Sequence, residues 1–411
     1  MRVVIVGAGQ AGFQVAASLR DGQFEGEVLL VGEETSLPYQ RPPLSKAYLT
    51  GEADASSVML RAPSFYAERA IGVRTGDRVA AIDRGAARIV MQGGETIPYD
   101  HLVLATGARN RILSAPGVEL DGVLYLRGLE DADRIKAALE NAARVAIIGA
   151  GFIGLEFAAV AARRGLAVTV YEAQDRVMAR AVSRETAAFV QSVHEAAGIQ
   201  FEFWALVEAF AGRDGRVTGL STLDGRRTEA DLVLIGIGVV PNEELATEAG
   251  LPVANGISVD AHLLTLDPAI SALGDCASHP SRFASGPVRI ESVQNAVDQG
   301  KCVAQRLLGH PVAYASVPWF WSDQGTLKIQ MAGLPGREER SILRGDPGTG
   351  AFSVFRYTGD RLSSVESVNR PADHMAARRL LEAGINPSPE QVSDSGTDLK
   401  SLLSARRAAP A

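Results

Sequence analysis

The sequence contains the same pattern twice, and this repeat limits the possible folds more than any other feature. The pattern is an apolar run, three glycines spaced G-x-G-x-x-G, an apolar helix face and a second apolar run. It occurs in VVIVGAGQAGFQVAASLR, residues 3–20, and again in VAIIGAGFIGLEFAAVAARRG, residues 145–165. A strand, glycine turn, helix and strand in this order form a βαβ unit, whose parallel strands are covered by helices. The sequence therefore predicts an α/β fold with two such units.

The first glycine loop has the features of a dinucleotide site. Its glycines, Gly7, Gly9 and Gly12, would let the backbone approach a pyrophosphate at the N-terminus of the following helix. Glu33 follows Gly12 by 21 positions, where an acidic residue can accept the ribose hydroxyls. Glu34 is adjacent and strand ends are often acidic, so the glycines and strands carry more of this prediction than Glu33 does.

The second loop repeats these features with its own glycines, Gly149, Gly151 and Gly154. Glu172 follows 18 positions after the last of them, and its carboxylate would bind a ribose and repel a 2′-phosphate. This favours NAD over NADP. Arg176 and Arg180 lie close behind and could accommodate a phosphate, so NADP stays the alternative.

Glu156 stands two residues after the last glycine of the second loop, and we expect it in the first turn of the helix. A carboxylate there suits the helix dipole, which is a structural role. It could equally reach the nicotinamide end of a bound ligand.

Composition excludes several other classes of protein. The 411 residues allow two or three domains, and 46% hydrophobic with 22% charged residues is ordinary for a soluble globular protein. A net charge of −7 argues against nucleic-acid or anionic-membrane binding, and no apolar run reaches the length of a membrane span. The first strand begins by Val3, which leaves no room for a signal peptide, so we expect a cytoplasmic protein. The two cysteines, Cys276 and Cys302, support no disulfide framework, metal site or iron–sulfur cluster and are expected in the core.

The remainder of the chain divides into two parts. Up to about residue 316, further buried strands end in glycine, in HLVLATGAR, DLVLIGIGVVPN and ISALGDCA. From residue 317 the pattern predicts a separate α+β domain, with a hairpin turning at Gly359-Asp360 and a helix near residues 375–384. Ser404–Ala411 are expected to be frayed.

Two dinucleotide sites in one chain suggest a flavin and a nicotinamide held face to face. At this point the sequence resembles the NADH-dependent, FAD-containing ferredoxin reductases of the putidaredoxin reductase and aromatic-ring dioxygenase reductase type. The resemblance covers nearly the whole chain, and its most specific motifs are RPPLSKAYL and PWFWSDQG. The other matching motifs are GAGQAG, LVLATGAR, YLRGLEDA, IIGAGFIGLE, GIGVVPN, ALGDCA and RIESVQNA.

The resemblance implies a glutathione-reductase-like fold with FAD at the first loop and NAD at the second. It implies an FAD-binding domain in two parts, residues 1–108 and 238–316, with an NAD-binding domain of residues 109–237 between them. Residues 317–411 would form the C-terminal α+β domain. The implied activity is transfer of a hydride from NADH to FAD, then of single electrons to a two-iron two-sulfur ferredoxin that feeds a monooxygenase or dioxygenase.

The same resemblance implies the site residues. The FAD-binding residues are the first three glycines with Ala11, Glu33, Arg41, Lys46, Val79, Thr106, Gly107, Arg127, Gly274, Asp275, Val293 and Trp321. The NAD-binding residues are the second three glycines with Phe152, Ile153, Glu156, Glu172, Arg180 and Gly238. Lys46, Glu156 and Trp321 are the expected catalytic residues, with Lys46 and Glu156 meeting beside the flavin. No metal is expected. Ser45, in the same motif as Lys46, is a possible helix cap.

The absence of redox cysteines from the sequence limits the possible electron acceptors. There is no redox cysteine pair, and PYQRPPLSK has no cysteine where related NADH oxidases and peroxidases need one. We therefore expect electrons to leave for an external carrier, docking near a basic patch of Lys301 and Arg306, with Arg378 and Arg379 as further candidates. A rubredoxin reductase, another NADH-dependent diaphorase and an interaction protein resembling apoptosis-inducing factor stay open as alternatives. A monomer or a weak dimer is expected.

Overall fold

The computed structural model describes residues 1–336 and 339–403. The strands in these residues are β1 (Arg2–Val6), β2 (Glu27–Val31), β3 (Ile71–Arg74), β4 (Val79–Asp83), β5 (Arg88–Met91), β6 (Thr96–Pro98), β7 (His101–Leu104), β8 (Ala108–Asn110), β9 (Val123–Tyr125), β10 (Arg144–Ile148), β11 (Ala167–Glu172), β12 (Gln200–Phe203), β13 (Val207–Arg213), β14 (Arg216–Thr222), β15 (Arg227–Glu229), β16 (Leu232–Ile235), β17 (Val239–Pro241), β18 (Ile257–Ser258), β19 (Ile270–Ala272), β20 (Ala277–Ser278), β21 (Trp319–Gln324), β22 (Leu327–Gly333), β23 (Arg340–Asp346), β24 (Ala351–Thr358) and β25 (Arg361–Val368). The helices are α1 (Gln10–Asp21), α2 (Ala47–Thr50), α3 (Pro63–Glu68), α4 (Leu129–Leu139), α5 (Phe152–Arg163), α6 (Arg184–Ala196), α7 (Glu244–Glu248), α8 (Val293–Leu307), α9 (Pro371–Ala383) and α10 (Pro389–Ser393). The expectation about Ser404–Ala411 lies outside the described residues.

The chain forms two compact units, each assembled from separate segments of sequence. The first unit contains Met1–Gln40, Ser56–Arg109 and Val240–Phe320. The second contains Arg41–Ala55, Asn110–Val239 and the described residues from Trp321 onward. Residues 41–55 thus pack with the second unit, although they lie within the expected first part of the FAD-binding domain. The domain boundaries themselves stay predictions.

The first unit is built on a parallel sheet with the order β19-β7-β1-β2-β3. Val3 and Ile5 of its central strand pack in a core with α1, whereas Val4 and Val6 pack in a second core on the other face. Burial of both faces explains the uninterrupted apolar run before the first glycine loop. An antiparallel sheet of β4, β5 and β6 belongs to the same unit.

The second unit repeats this arrangement in a parallel sheet with the order β12-β11-β10-β16-β9. Strands β10, β11, β12 and β16 take the positions that β1, β2, β3 and β7 take in the first sheet. The edge position differs in origin, since β19 comes late in the chain and β9 comes before its own βαβ unit. The predicted pair of Rossmann-like βαβ units is confirmed.

The C-terminal part of the second unit is a five-stranded sheet with the order β21-β22-β25-β24-β23. β24 and β25 form an antiparallel hairpin that turns at Gly359 and Asp360, as predicted, and α9 packs against β22 and β25. No helix in the described residues combines the length and apolar character needed to cross a membrane.

Candidate dinucleotide and active sites

The first glycine loop, between β1 and α1, leaves one position of its backbone open. A Cβ added at Gly7 would lie 2.0 Å from the carbonyl oxygen of Ala105, and one at Gly12 would lie 2.0 Å from that of Gly7. A Cβ at Gly9 would meet no atom within 4 Å. The first and third glycines therefore serve close packing, and the second faces open space directly before α1. A pyrophosphate fits there, because the first amides of a helix lack partners within the helix and attract anions.

The second loop has the same geometry. A Cβ at Gly149 would lie 2.5 Å from the Gly236 oxygen, and one at Gly154 would lie 2.2 Å from the Gly149 oxygen. A Cβ at Gly151 would meet nothing within 4 Å. The side chain of Ile153, in the first turn of α5, is 42% exposed, as expected for an apolar residue at the mouth of a ligand site. Both loops thus fit a dinucleotide by the same criterion.

The two acidic residues that follow the loops have different surroundings. Glu33 is exposed two residues after β2, with its carboxylate 3.1 Å from the guanidinium of Arg78. Glu172 ends β11 and accepts hydrogen bonds from the backbone amides of Ala150, at 2.8 Å, and Gln174, at 3.0 Å. Glu172 therefore fixes the conformation of its glycine loop, and a carboxylate retains further acceptor positions for ribose hydroxyls.

The first unit brings further predicted FAD residues to the start of α1. A Cβ at Gly274 would lie 3.1 Å from the Cβ of Ala11, and Asp275 follows it, half-buried, in a 3-10 turn. The Thr106 hydroxyl donates to the carbonyl oxygen of Asn242 at 2.6 Å, and the Thr106 carbonyl oxygen accepts from the side-chain amide of Asn242 at 2.8 Å. Thr106 therefore links two loops of this unit through its side chain and its main chain.

Three other residues of the first unit that are predicted to bind FAD stand out by their place in the main chain and not by a polar side chain. Val79 is buried at the start of β4, so it can offer little beyond its main chain. Gly107 has a φ of 69°, which favours glycine. Val293 is the first residue of α8, whose preceding Ser292 accepts from the Asn295 amide.

The second unit pairs two predicted arginines. The Arg41 guanidinium donates to the carbonyl oxygen of Arg127 at 2.6 Å, and the Arg127 amide donates to Asp131 at 2.9 Å. Phe152 is the first residue of α5, and Trp321 lies half-buried on β21. The expected role of Trp321 at the flavin stays a prediction.

Arg176 and Arg180 differ in their freedom to meet a phosphate. Arg176 is committed to its own loop, since it contacts Asp175 and the Ala179 carbonyl oxygen, each at 2.8 Å. Arg180 is exposed and has no hydrogen bond or ion pair within the described residues. One of its nitrogens lies 3.7 Å from where a Cβ at Gly238 would stand, so these two predicted NAD residues are adjacent.

Glu156 is 3% exposed and is surrounded by three donors of the second unit. The Lys46 ammonium lies 2.7 Å from Oε2, and the Ser45 hydroxyl donates to the same oxygen at 2.5 Å. The Ser322 hydroxyl donates to Oε1 at 2.6 Å. The expected meeting of Lys46 and Glu156 is therefore present, and the two serines complete the set of donors that a buried carboxylate requires.

Two local expectations about this cluster are wrong. Ser45 does not cap a helix, because it ends the 3-10 turn Pro42–Ser45 and its hydroxyl is turned to Glu156. Glu156 is the fifth residue of α5 and not in the first turn, so side-chain donors and not free helix amides satisfy its carboxylate. Ser322 lies in the PWFWSDQG motif, but its contact with Glu156 was not predicted, since the two residues are 166 positions apart.

Both cysteines are free and buried, which confirms their predicted place in the core. Cys276 is fully buried and Cys302 is 5% exposed. Burial raises the pKa of both thiols, so neither is a reactive thiolate at neutral pH. No group of three or more candidate metal ligands occurs in the described residues.

The expected basic patch is wrong in one of its residues, because Arg306 is not on the exposed face of α8. Lys301 is exposed on α8, but Arg306 is directed inward, where it donates to Ser271 and lies 3.4 Å from the His101 ring. Five positions along a helix separate two side chains by about 140°. Lys301 and Arg306 therefore cannot share one exposed face.

Two open glycine loops in one chain, each followed by an acidic residue, define an oxidoreductase that binds two dinucleotides. A family model described as pyridine nucleotide-disulphide oxidoreductase matches residues 1–300, and one described as reductase C-terminal matches residues 319–403. This chain belongs to the pyridine nucleotide-disulphide oxidoreductase family.

Similar proteins support this assignment over the full chain. Rhodocoxin reductase of Rhodococcus erythropolis is 48% identical over 407 residues, which is 99% of this chain and 95% of that protein. A rubredoxin-NAD(+) reductase of Pseudomonas putida is 40% identical over 371 residues, 90% of this chain and 96% of that protein.

Comparison with solved structures supports the same assignment. The ferredoxin reductase for the CYP199A2 system of Rhodopseudomonas palustris has a TM-score of 0.95 at 46% identity, covering 97% of this chain and 99% of that one. The reductase in the covalent putidaredoxin reductase–putidaredoxin complex has a TM-score of 0.96 at 40% identity, covering 99% of both chains. The predicted class, a flavin-dependent ferredoxin reductase, is confirmed, as are the cofactors FAD and NAD.

Proposed function

We propose that this protein uses NADH to reduce a two-iron two-sulfur ferredoxin that serves a monooxygenase or dioxygenase. The observation that carries the proposal is the pair of open glycine loops in a chain whose two cysteines are both buried. Such a chain can hold both cofactors but offers no thiol relay, so electrons must pass to an external acceptor. A relative in covalent complex with putidaredoxin supports a small protein acceptor.

The proposed cofactor contacts fall into two groups, one for FAD and one for NAD. The open backbone at Gly9 and the start of α1 would hold the FAD pyrophosphate, with Glu33 and Asp275 accepting its hydroxyls. When bound, FAD supplies the conversion between a two-electron donor and a one-electron acceptor. The loop at Gly151 would hold the NAD pyrophosphate, and Glu172 its adenosine ribose.

Lys46 and Glu156 would act on the reacting end of the coenzyme. Their charges are paired at 2.7 Å, with the glutamate buried and the lysine partly exposed. A fixed pair of this kind can orient a carboxamide, which offers a carbonyl oxygen as acceptor and an NH2 group as donor. Trp321 is the candidate for lining the route by which electrons leave.

A rubredoxin acceptor is the second candidate, since a rubredoxin-NAD(+) reductase is 40% identical to this chain. The deciding experiment mixes the purified holoprotein and NADH, without oxygen, with a panel of two-iron ferredoxins and a rubredoxin. We expect at least one ferredoxin to be reduced at least about tenfold more efficiently than the rubredoxin. Preference for rubredoxin, or a stable reduced complex with NAD⁺ that reduces neither carrier, would contradict the proposal.

The proposal includes a cytoplasmic location and a monomer or weak dimer. Cell fractionation and sedimentation at several protein concentrations test these two statements separately.

A further inference from the structure

Glu156 is the end of a chain of hydrogen bonds that runs through the interior of the second unit to α6. The Ser322 hydroxyl lies 2.6 Å from the Glu156 carboxylate. The side-chain nitrogen of Gln324 lies 3.2 Å from the Ser322 oxygen, and the Gln324 oxygen lies 2.9 Å from Nε2 of His194. Ser322 and Gln324 stand two residues apart on β21, so their side chains lie on one face of that strand.

The direction of every link follows from the chemistry of its groups. An ionised carboxylate can only accept, so Ser322 donates to Glu156. The Ser322 oxygen then accepts from the amide of Gln324. The carbonyl oxygen of Gln324 can only accept, so the proton of His194 must be on Nε2. All three links therefore donate toward Glu156.

All three residues of this chain of hydrogen bonds are buried. Ser322 is fully buried, Gln324 is 2% exposed and His194 is 3% exposed. Burial lowers the pKa of His194, and the hydrogen bond to Gln324 opposes this shift only in part, so the ring is neutral at pH 7. Aligned hydrogen bonds in a medium of low dielectric strengthen one another, and each broken link leaves a buried polar group without its partner.

We propose that Ser322, Gln324 and His194 are positioning residues that hold the Glu156 carboxylate, and through it the Lys46 ammonium, in place for the reaction with NADH. The proposal rests on the role proposed above for Lys46 and Glu156. Ser45 and Lys46 engage Oε2, whereas the chain engages Oε1, so the carboxylate cannot rotate without losing a donor.

The first experiment tests the chain of hydrogen bonds directly and does not depend on a measurement of enzymatic activity. Selective ¹⁵N labelling of histidine, with a His194→Gln variant for assignment, should show His194 as the neutral tautomer protonated at Nε2. In Gln324→Glu the new carboxylate should raise the pKa of His194 and protonate both ring nitrogens near pH 7. A wild-type ring protonated at Nδ1 would overturn the proposal.

The second experiment measures flavin reduction by NADH in a stopped-flow instrument. Ser322→Ala should slow this half-reaction about tenfold, which corresponds to the loss of about 1.4 kcal/mol, while the dissociation constant for NADH changes less than about threefold. Ser322→Thr, which keeps the hydroxyl, should restore most of the rate. Ser367→Ala removes a fully buried serine from β25 of the same sheet and should leave the rate unchanged.

The outcomes separate this proposal from the proposed function. An unchanged rate of flavin reduction in Ser322→Ala, or equal losses in Ser322→Ala and Ser367→Ala, would overturn the role of the chain even if ferredoxin reduction is efficient. Failure of the wild-type protein to reduce any ferredoxin, with normal flavin reduction by NADH, would contradict the proposed acceptor and leave the positioning chain standing.

Discussion

Lys46 and Glu156 form an ion pair of 2.7 Å in which the lysine side chain is 21% exposed and the glutamate side chain 2% exposed. The pair is therefore asymmetric, with one charge at the edge of solvent and the other in the interior. Removing the lysine would leave a buried carboxylate with two serine hydroxyls as its donors and no positive charge beside it. Removing the glutamate charge leaves a lysine that can still reach water.

The first prediction follows from this asymmetry. Lys46→Met should lower the free energy of unfolding by about 2–4 kcal/mol, and Glu156→Gln by less, because an unpaired buried charge costs more than an unpaired lysine near solvent. The double variant should cost less than the sum of the two. Thermal unfolding of the three variants measures this, and strict additivity would show that the pair does not interact.

The two glycine loops allow a matched pair of substitutions. Gly9→Ala and Gly151→Ala both place a methyl group in open space, with φ near −88° and −80°, where alanine is not strained. Gly9→Ala should weaken FAD binding at least about tenfold and leave the affinity for NADH of the remaining holoprotein unchanged. Gly151→Ala should do the reverse. Flavin absorbance after dialysis and NADH titration report the two sites, and loss of both ligands in both variants would contradict the assignment.

Coenzyme preference should depend on Glu172. In the proposed NAD site its carboxylate would repel a 2′-phosphate, and Arg176, which contacts Asp175 and the Ala179 carbonyl oxygen, would not offset the repulsion. We expect kcat/KM for NADH to exceed that for NADPH at least about tenfold. Glu172→Ala should reduce the ratio, and Arg180→Ala in that background should lower the efficiency with NADPH more than with NADH. Equal efficiencies in the wild-type protein would refute this role.

Ferredoxin docking should respond to salt through Lys301. Lys301→Glu should raise the KM for ferredoxin severalfold, since exposed charges steer association, and the effect should diminish at high ionic strength. Reduction of an uncharged dye by NADH should not change. Arg213→Glu, a charge reversal at an exposed position of β13, is the control. Identical salt profiles for ferredoxin and dye would exclude electrostatic docking.

Stability at acid pH should depend on His101. Burial, and then the nearby Arg306 charge, lower the pKa of this ring to about 4, against about 6.5 when unfolded. The unfolded state therefore binds the proton more tightly, so stability is complete above about pH 6.5 and is lost as the pH falls toward 4. His101→Gln should reduce the loss between pH 6.5 and 4.5 by about 1–2 kcal/mol. Denaturant unfolding at both pH values measures the difference, and parallel losses in both proteins would contradict it.

The parts of this molecule that were predictable from sequence are those set by local pattern. Glycine spacing and apolar runs predict both βαβ units, because the strand, the glycine turn, the helix and the second strand follow one another directly in sequence. Glu172 was found for the same reason, as its distance from Gly154 is fixed by one helix and one strand.

The parts that escaped prediction depend on contacts between distant segments. Ser45 and Ser322 are 111 and 166 positions from Glu156, and no local pattern marks a serine as the partner of a distant carboxylate. Arg306 was misjudged because a charged residue on a helix gives no local sign of an inward partner such as Ser271.

The position of residues 41–55 has a practical consequence for anyone dividing this protein into parts. The carboxylate of Glu156 draws its donors from two stretches of chain that are far from it in sequence, at residues 45–46 and at residue 322. A recombinant fragment of residues 110–239 would contain the second glycine loop but would leave that carboxylate without a single one of its partners. Exchange of this region between homologous reductases as a cassette should therefore succeed only when the RPPLSKAYL and WSDQ motifs are transferred with it.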